Sequence, residues 1–387
     1  MKGIKRALRI LAALLLVAFG IGTAIFLNPD PHVLRTPYVG EQAPIDGRTG
    51  VYSDEEGHRW LVAPALSTGL VRFPLDGYGR SLPVAMSDLA GESLSRIEVQ
   101  PYQLNELAIQ VPDRLAGWSF EPVGPARGGI VILHGAMTSD RGNPYYIYLA
   151  HTLAETGYVV VLPDKRGSGR SEGDWRNAPL DQLAHDGAAW MRELRRRRVD
   201  LQRLGFVGVS QGGIITPQAA QLAHADFGVD MSGSAGSLRS ALRHEVGNDV
   251  REGGVPKLLR PLLTWAFSLR AERKHPGFWR ANANYDMLDY WRSWGGPMFI
   301  ALGREDALDK VPVAQTLAML EPYRDNPQLT WKIYDHVGHS LCDAQGRFLP
   351  EFKRDLLAWL ASRTGSGRPG TADPAIEPAP SAAVTSE

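Results

Sequence analysis

Leu204-Gly205-Phe206-Val207-Gly208-Val209-Ser210-Gln211-Gly212-Gly213 is the stretch that decides the fold. Leu204–Val209 is an apolar run of buried-strand length, and Gln211 to about Leu222 reads as a helix. Between them, Gly208–Gly212 fits G-x-S-x-G. A serine at a sharp strand-to-helix turn has its oxygen lifted above the sheet, and the flanking glycines permit the close backbone approach that such a turn demands. The helix that begins there also aims free N–H groups at negative charge developing beside the serine. With 41 glycines in the chain, chance matches are expected, and a second stands at Gly169-Arg170-Ser171-Glu172-Gly173. That one lies in a polar loop with no apolar strand before it. Context selects Ser210 over Ser171.

Outward from this point, strands and helices alternate. Gly129–Leu133 is an apolar run ending at His134-Gly135, and Tyr145–Gly157 has helical spacing with a glycine stop. Tyr158–Leu162 is a β-branched run entering Pro163-Asp164, and Leu180–Arg197 is amphipathic, with a basic, solvated face at Arg192 and Arg195–Arg198. Later come strands at Phe227–Met231, Met298–Leu302 and Leu329–Tyr334, a helix after Pro312 and a last helix at Glu351–Leu360. The pattern predicts an α/β fold with a mostly parallel central sheet and helices on both faces. Ligands of such sheets bind beyond the carboxyl ends of the strands.

A serine hydroxyl is a weak nucleophile without a base, and the base must be held by an acid. Beyond the strand Met298–Leu302 comes Gly303-Arg304-Glu305-Asp306, with Asp309 close behind. Beyond Leu329–Tyr334 comes Asp335-His336-Val337-Gly338-His339-Ser340. Asp306 is the acid chosen over Glu305 and Asp309, and His339 the base chosen over His336. The order Ser…Asp…His is the one expected when a strand-elbow serine leads.

Taken together, these motifs resemble the α/β-hydrolase superfamily, in its serine esterase and serine aminopeptidase-like branch, over roughly residues 95–362. His134-Gly135 is similar to the oxyanion-hole loop of that family, and Asp164-Lys165-Arg166-Gly167-Ser168-Gly169-Arg170-Ser171 to its D-x-R-G-x-G-x-S loop. Gly208–Gly212 matches the nucleophile elbow, while Gly303–Asp306 and Gly338-His339 resemble the acid and histidine loops. The resemblance implies Ser210 as nucleophile, His339 as general base and acid, and Asp306 as the group that orients it. It also implies an oxyanion hole built from the backbone N–H of Gln211 and that of Ala136, with Met137 as the fallback. Ser171 would then be structural, and His134 would shape its loop.

The flanks carry other information. Lys2, Lys5, Arg6 and Arg9 precede an uncharged run of 18 residues, Ile10–Leu27. At ~1.5 Å per residue the run would nearly span a bilayer core. We expect residues 1–27 to be a signal anchor or transmembrane helix, with the basic tip in the cytoplasm and the catalytic domain exported. A cleaved signal peptide releasing a secreted or periplasmic enzyme is the alternative. Residues 28–94 read as a Pro/Gly-rich tether and a small β-rich lead-in, residues 95–363 as the hydrolase domain, and residues 364–387, rich in Pro, Ala, Gly, Ser and Thr, as a disordered tail.

Overall, 42 basic residues balance 42 acidic ones, which gives no electrostatic reason to expect a nucleic-acid partner. The single cysteine, Cys342, excludes an intrachain disulfide and a Cys-rich zinc site, and reads as a small packing residue. No metal-ligand spacing and no cofactor fingerprint stands out, so neither is expected.

About 65 residues separate the strands at Phe227 and Met298, too long for a simple crossover, which predicts a helical cap at about 233–296. Its aromatic residues would mostly cement cap to sheet, with one or two lining an apolar pocket. Pro256–Ala271 has apolar spacing (Leu258, Leu259, Leu262, Leu263, Phe267) beside basic residues; packing under the cap is expected, with a membrane surface as the other reading. These features favour a serine hydrolase acting on a small-molecule ester or acyl substrate. An aminopeptidase or acyl-peptidase-like amidase and a membrane-tethered, non-catalytic relative are the alternatives.

Overall fold

The computed structural model describes residues 43–66 and 69–364, together with Thr23 and Phe26. Its first layer is an antiparallel sheet of five strands: β1 (Gly50–Asp54), β2 (Arg59–Pro64), β3 (Leu70–Pro74), β4 (Leu82–Val84) and β5 (Leu94–Arg96), in the order β4-β3-β2-β1-β5. Their short lengths and intervening turns are what the lead-in sequence requires. This sheet is not a separate body. Val51, Leu61, Ala63, Phe73 and Leu75 are buried in the same apolar cluster as Leu149 and Leu153 of the main fold.

The main sheet has eight strands. Two long ones open it, β6 (Tyr102–Val111) and β7 (Asp113–Pro122), which form an antiparallel hairpin turning at Pro112. Then follow β8 (Gly128–Leu133), helix α1 (Pro144–Glu155), β9 (Tyr158–Pro163), α2 (Leu180–Arg197), β10 (Leu204–Val209), α3 (Gln211–Ala223) and β11 (Phe227–Met231). Four helices come next: α4 (Leu238–Glu252), α5 (Arg260–Lys274), α6 (Pro276–Asn282) and α7 (Met287–Trp294). The chain closes with β12 (Met298–Gly303), α8 (Val313–Leu320), β13 (Leu329–Tyr334) and α9 (Pro350–Thr364). The strand order is β13-β12-β11-β10-β8-β9-β7-β6, parallel from β13 through β9 and antiparallel beyond.

Side chains of a strand point alternately to its two faces, and the core is divided accordingly. Ile130, Ile132, Val160, Leu162, Val207 and Phe299 join one cluster, which α1, α9 and the lead-in sheet cover. Val131, Leu133, Val159, Val161, Phe206 and Ile300 join the other, covered by α2, α3, α7 and α8. With both faces buried, these strands read as continuous apolar runs. From β8 the chain passes to β9 on one side and later to β10 on the other. This reversal opens a crevice at the carboxyl ends of β8 and β10.

Two findings refine the reading of the insertion. Met287, Leu288 and Trp291 of α7 are buried in the main core, so this helix belongs to the layer over the sheet. The apolar residues before and along α5 do not pack under the cap as expected: Leu258, Leu262, Trp265 and Phe267 are all exposed, and Ser268 is the one fully buried residue of the helix. Among the described residues no helix is long and apolar enough to cross a membrane. The apolar run 10–27 lies outside the described residues except for Thr23 and Phe26, both helical, and so does the tail beyond Thr364.

Candidate active site

Ser210 sits where β10 ends and α3 begins, at φ 55° and ψ −118°. A non-glycine residue with positive φ is uncommon and is held by its surroundings. Here Ser210 N donates to Met231 O at 2.7 Å. The two glycines of the motif have separate reasons to be glycine. A Cβ on Gly208 would stand 2.2 Å from Gly212 O, and one on Gly212 would stand 2.0 Å from Leu133 O. The turn folds only because the helix can lie against the neighbouring backbone.

Asp306 lies in a short turn after β12, fully buried, and its Oδ2 is 2.7 Å from His339 Nδ1. Its other oxygen accepts from Lys310 N at 3.2 Å. A carboxylate bonded at Nδ1 keeps that nitrogen protonated and leaves Nε2 as the basic position. Both competing carboxylates, Glu305 and Asp309, are exposed, and neither is bonded to His339. His336 occupies an exposed turn at φ 63°. Ser210 and His339 line one cavity of about 1010 Å³, with Gly135, Ala136, Met137 and Gln211. No hydrogen bond links Ser210 Oγ to His339 among the described residues; such contacts often tighten only when substrate arrives.

The loop after β8 is held from beneath. Gly135 N donates to Tyr146 Oη at 2.7 Å, which leaves the N–H groups of Ala136 and Met137 at that corner. His134 is buried and edge-on to Tyr146. Its Nε2 is 2.6 Å from Pro163 O, so that nitrogen carries the proton, and Nδ1 accepts from Ser139 Oγ at 2.9 Å. Burial holds the ring neutral, its pKa pushed down to about 4. His134 is a structural residue of the loop.

Lys165 is a residue whose part at this corner the sequence reading left unassigned. Its buried ammonium donates to Gly135 O at 2.6 Å and to Gln211 Oε1 at 2.7 Å, and lies 4.6 Å from the centre of the Trp175 ring. It thus ties the β8 loop to the first residue of α3. Burial brings its pKa down to about 7. The available signal was a lysine two residues beyond a buried strand, inside a polar, glycine-rich loop.

The rest of that loop is structural. Asp164 receives Arg141 Nε at 3.0 Å and Nη2 at 2.9 Å, and Arg141 also meets Glu106. Arg166 pairs with Asp186 at 2.7 Å and with Asp113. Ser171, fully buried, donates to Asp164 O at 2.8 Å and accepts from Ala116 N at 2.9 Å. Its hydroxyl is used up by the backbone. Cys342 is also buried, donates to Ser340 O at 3.3 Å, and is pushed up to about 12 by burial, so it packs rather than reacts.

Of the aromatic residues in the insertion, Phe278 and Trp279 line the cavity with Tyr145, Trp175, Leu238 and Leu242. Tyr285 and Trp291 are buried in the core. The cavity is therefore mainly apolar, with Arg176, Glu245, Lys274, Asp309 and Lys310 as its charged members. Burial raises the pKa of Glu245, with Lys310 opposing. Among the described residues, no group of His, Cys, Asp or Glu is placed to hold a metal ion.

A serine elbow at the switch point of a mostly parallel sheet, sharing a cavity with a histidine held by a buried carboxylate, is the arrangement of an α/β-hydrolase. The model of the serine aminopeptidase S33 family matches residues 124–354, and the chain belongs to that family. It is a hydrolase of the α/β-hydrolase superfamily. Among solved structures it is similar to an esterase of Pyrococcus furiosus, at 20% identity and a TM-score of 0.52, over 68% of this chain and 92% of that one. It is also similar to an acylaminoacyl peptidase of Pyrococcus horikoshii, at 15% identity and a TM-score of 0.54, over 81% of this chain and 49% of that one. At these identities the likeness is one of fold. No curated protein matches the chain in sequence.

Proposed function

We propose that this protein is a serine hydrolase that cleaves a carboxylic ester through an acyl-enzyme. Ser210 Oγ attacks the carbonyl carbon as His339 Nε2 takes its proton, and Asp306 stabilises the imidazolium that forms. The N–H groups of Gln211 and Ala136 receive the oxyanion. His339 returns the proton to the departing alcohol, and a water, deprotonated in turn by His339, releases the acid and frees Ser210. The observation that carries this reading is the 2.7 Å contact between His339 and the buried Asp306, on a cavity that Ser210 also lines. The mainly apolar wall favours an acyl chain. A fluorophosphonate probe should label the protein, and Ser210→Ala should lose the label while remaining folded. A folded wild type that takes no label would mean a non-catalytic relative.

A second reading is an aminopeptidase or related amidase, favoured by the family and by Glu245 in the cavity, where a carboxylate could meet a substrate ammonium. Comparing p-nitrophenyl esters with aminoacyl p-nitroanilides separates the two: faster turnover of the anilides would replace the ester reading. For location, we propose that residues 1–27 anchor the enzyme in a membrane with the hydrolase domain exported. N-terminal sequencing of the protein from cell fractions tests this, and a mature N-terminus beyond residue 27 would mean a cleaved, periplasmic or secreted enzyme.

A further inference from the structure

The outward side of α5 is not accounted for by the hydrolase reading. Leu262 and Trp265, three residues apart on α5, are 60% and 55% exposed, and Leu258, in the turn that leads into the helix, is 91% exposed. Lone exposed apolar residues are ordinary on a protein surface, whereas a contiguous set marks a contact site. Basic residues border the set: Lys257 and Arg273 are exposed, and Arg260 and Arg270 are half-buried. The acidic residue of this helix, Glu272, is already paired with Arg239 at 2.8 Å.

Contacts at Phe267 and Arg270, which lie round the helix from Leu262 and Trp265, place Phe26 against α5. Phe26, next to the last residue of the apolar run 10–27, meets Phe267 edge-on with ring centroids 5.1 Å apart. The Arg270 guanidinium lies 4.8 Å from the centre of the Phe26 ring and donates to Phe26 O. The exit end of the proposed anchor therefore rests on α5. An anchor that crosses a bilayer would bring this helix to the headgroup layer, where aromatic and aliphatic side chains with a basic border are stabilised together. At its other end the same helix contributes Ala271 and Lys274 to the wall of the candidate active-site cavity.

We propose that the outward face of α5 is a docking surface for an anionic lipid bilayer, which sets the cavity against the membrane and makes a membrane-partitioned acyl ester its substrate. The substrate half of this inference rests on the hydrolase reading above; the docking half rests on the proposed anchor, the exposed face and the Phe26 contacts.

The test uses the full chain reconstituted in phosphatidylcholine–phosphatidylglycerol vesicles. Brominated phospholipid should quench a component of the tryptophan emission that Trp265→Phe lacks; no Trp265-dependent quenching would overturn the docking. The triple variant Leu258→Ser, Leu262→Ser, Trp265→Ser replaces no residue that lines the cavity. It should hydrolyse a short, water-soluble ester within about two-fold of wild type and a long-chain ester dissolved in the vesicles at least ~10-fold more slowly. Equal retention of both activities would overturn the substrate claim. If wild type hydrolyses neither ester, the hydrolase reading fails, while quenching still decides the docking. Cross-linking of two copies through α5, lost in the triple variant and without lipid quenching, would make the face a self-contact and overturn the proposal.

Discussion

His339 Nδ1 lies 2.7 Å from Asp306 Oδ2, with the carboxylate side chain wholly buried and the imidazole side chain 20% exposed. The pair is thus arranged with its fixed charge inside and its basic nitrogen toward the cavity. A carboxylate so placed orients the ring and stabilises the imidazolium that forms when a proton is taken.

Replacing Asp306 by Asn keeps the shape and removes the charge. We expect kcat to fall by roughly 10³–10⁴-fold with KM little changed, as for removal of an interaction that matters in the transition state. Steady-state kinetics on a soluble ester check this. A variant within ten-fold of wild type would place the acid elsewhere.

Ser171→Ala separates the two G-x-S-x-G sequences. The variant loses a donor to Asp164 O and an acceptor for Ala116 N, both buried. A cost of about 1–3 kcal/mol in chemical denaturation is expected. Fluorophosphonate labelling per folded molecule should equal wild type. Loss of labelling would show that the loop serine reaches the chemistry.

Lys165→Met should disturb the oxyanion corner without touching substrate. It leaves Gly135 O and Gln211 Oε1 without their donor, and we expect kcat to fall about 10–100-fold with a smaller change in KM. The pH dependence of stability gives a separate readout. The lysine titrates near 7 when folded and near 10.5 when unfolded, so between these values the unfolded chain holds the extra proton. Wild-type stability should therefore gain from this group as pH rises from 7 to 10. The melting temperature of the Met variant relative to wild type should fall over the same range. A flat difference would show that Lys165 is not titrating there.

Asp230 gives the opposite sign. At the end of β11 its Oδ1 accepts from Gly233 N at 2.7 Å, its Oδ2 is buried without a partner, and burial raises its pKa to about 7. Between the ordinary 3.8 and about 7 the folded state holds the extra proton, so wild-type stability should lose this contribution as pH rises through that window. Asp230→Asn cannot titrate. Its melting temperature relative to wild type should climb between pH 4 and 7, by on the order of a few °C, and level off above. Differential scanning fluorimetry across that range is sufficient, and a difference that does not climb would contradict the burial argument.

Much of the fold was legible because its signals are local. The runs at Gly129–Leu133, Tyr158–Leu162 and Leu204–Val209 lie within strands that are buried on both faces, and their apolar continuity says so directly. The hairpin of β6 and β7 was not read. Tyr102–Val111 mixes buried with exposed positions at the sheet edge, and its place depends on pairing with a distant partner. The face of α5 shows the same limit from the other side. Apolar residues at helical spacing say that a face must be covered, and not by what.

By itself, the sequence determined that a serine elbow follows a buried strand, that acid and histidine candidates come later in that order, and that an uncharged apolar run opens the chain. Each is a matter of residues close in the chain. Which carboxylate meets which histidine was decided only by the tertiary structure, because Asp306 and His339 are joined by the ends of two neighbouring parallel strands. The same is true of Lys165, whose partners Gly135 and Gln211 come from two other strand ends, and of α5, whose exposure follows from what the remaining helices leave uncovered. Burial and long-range contact choose among chemically equivalent side chains, and neither quantity is local.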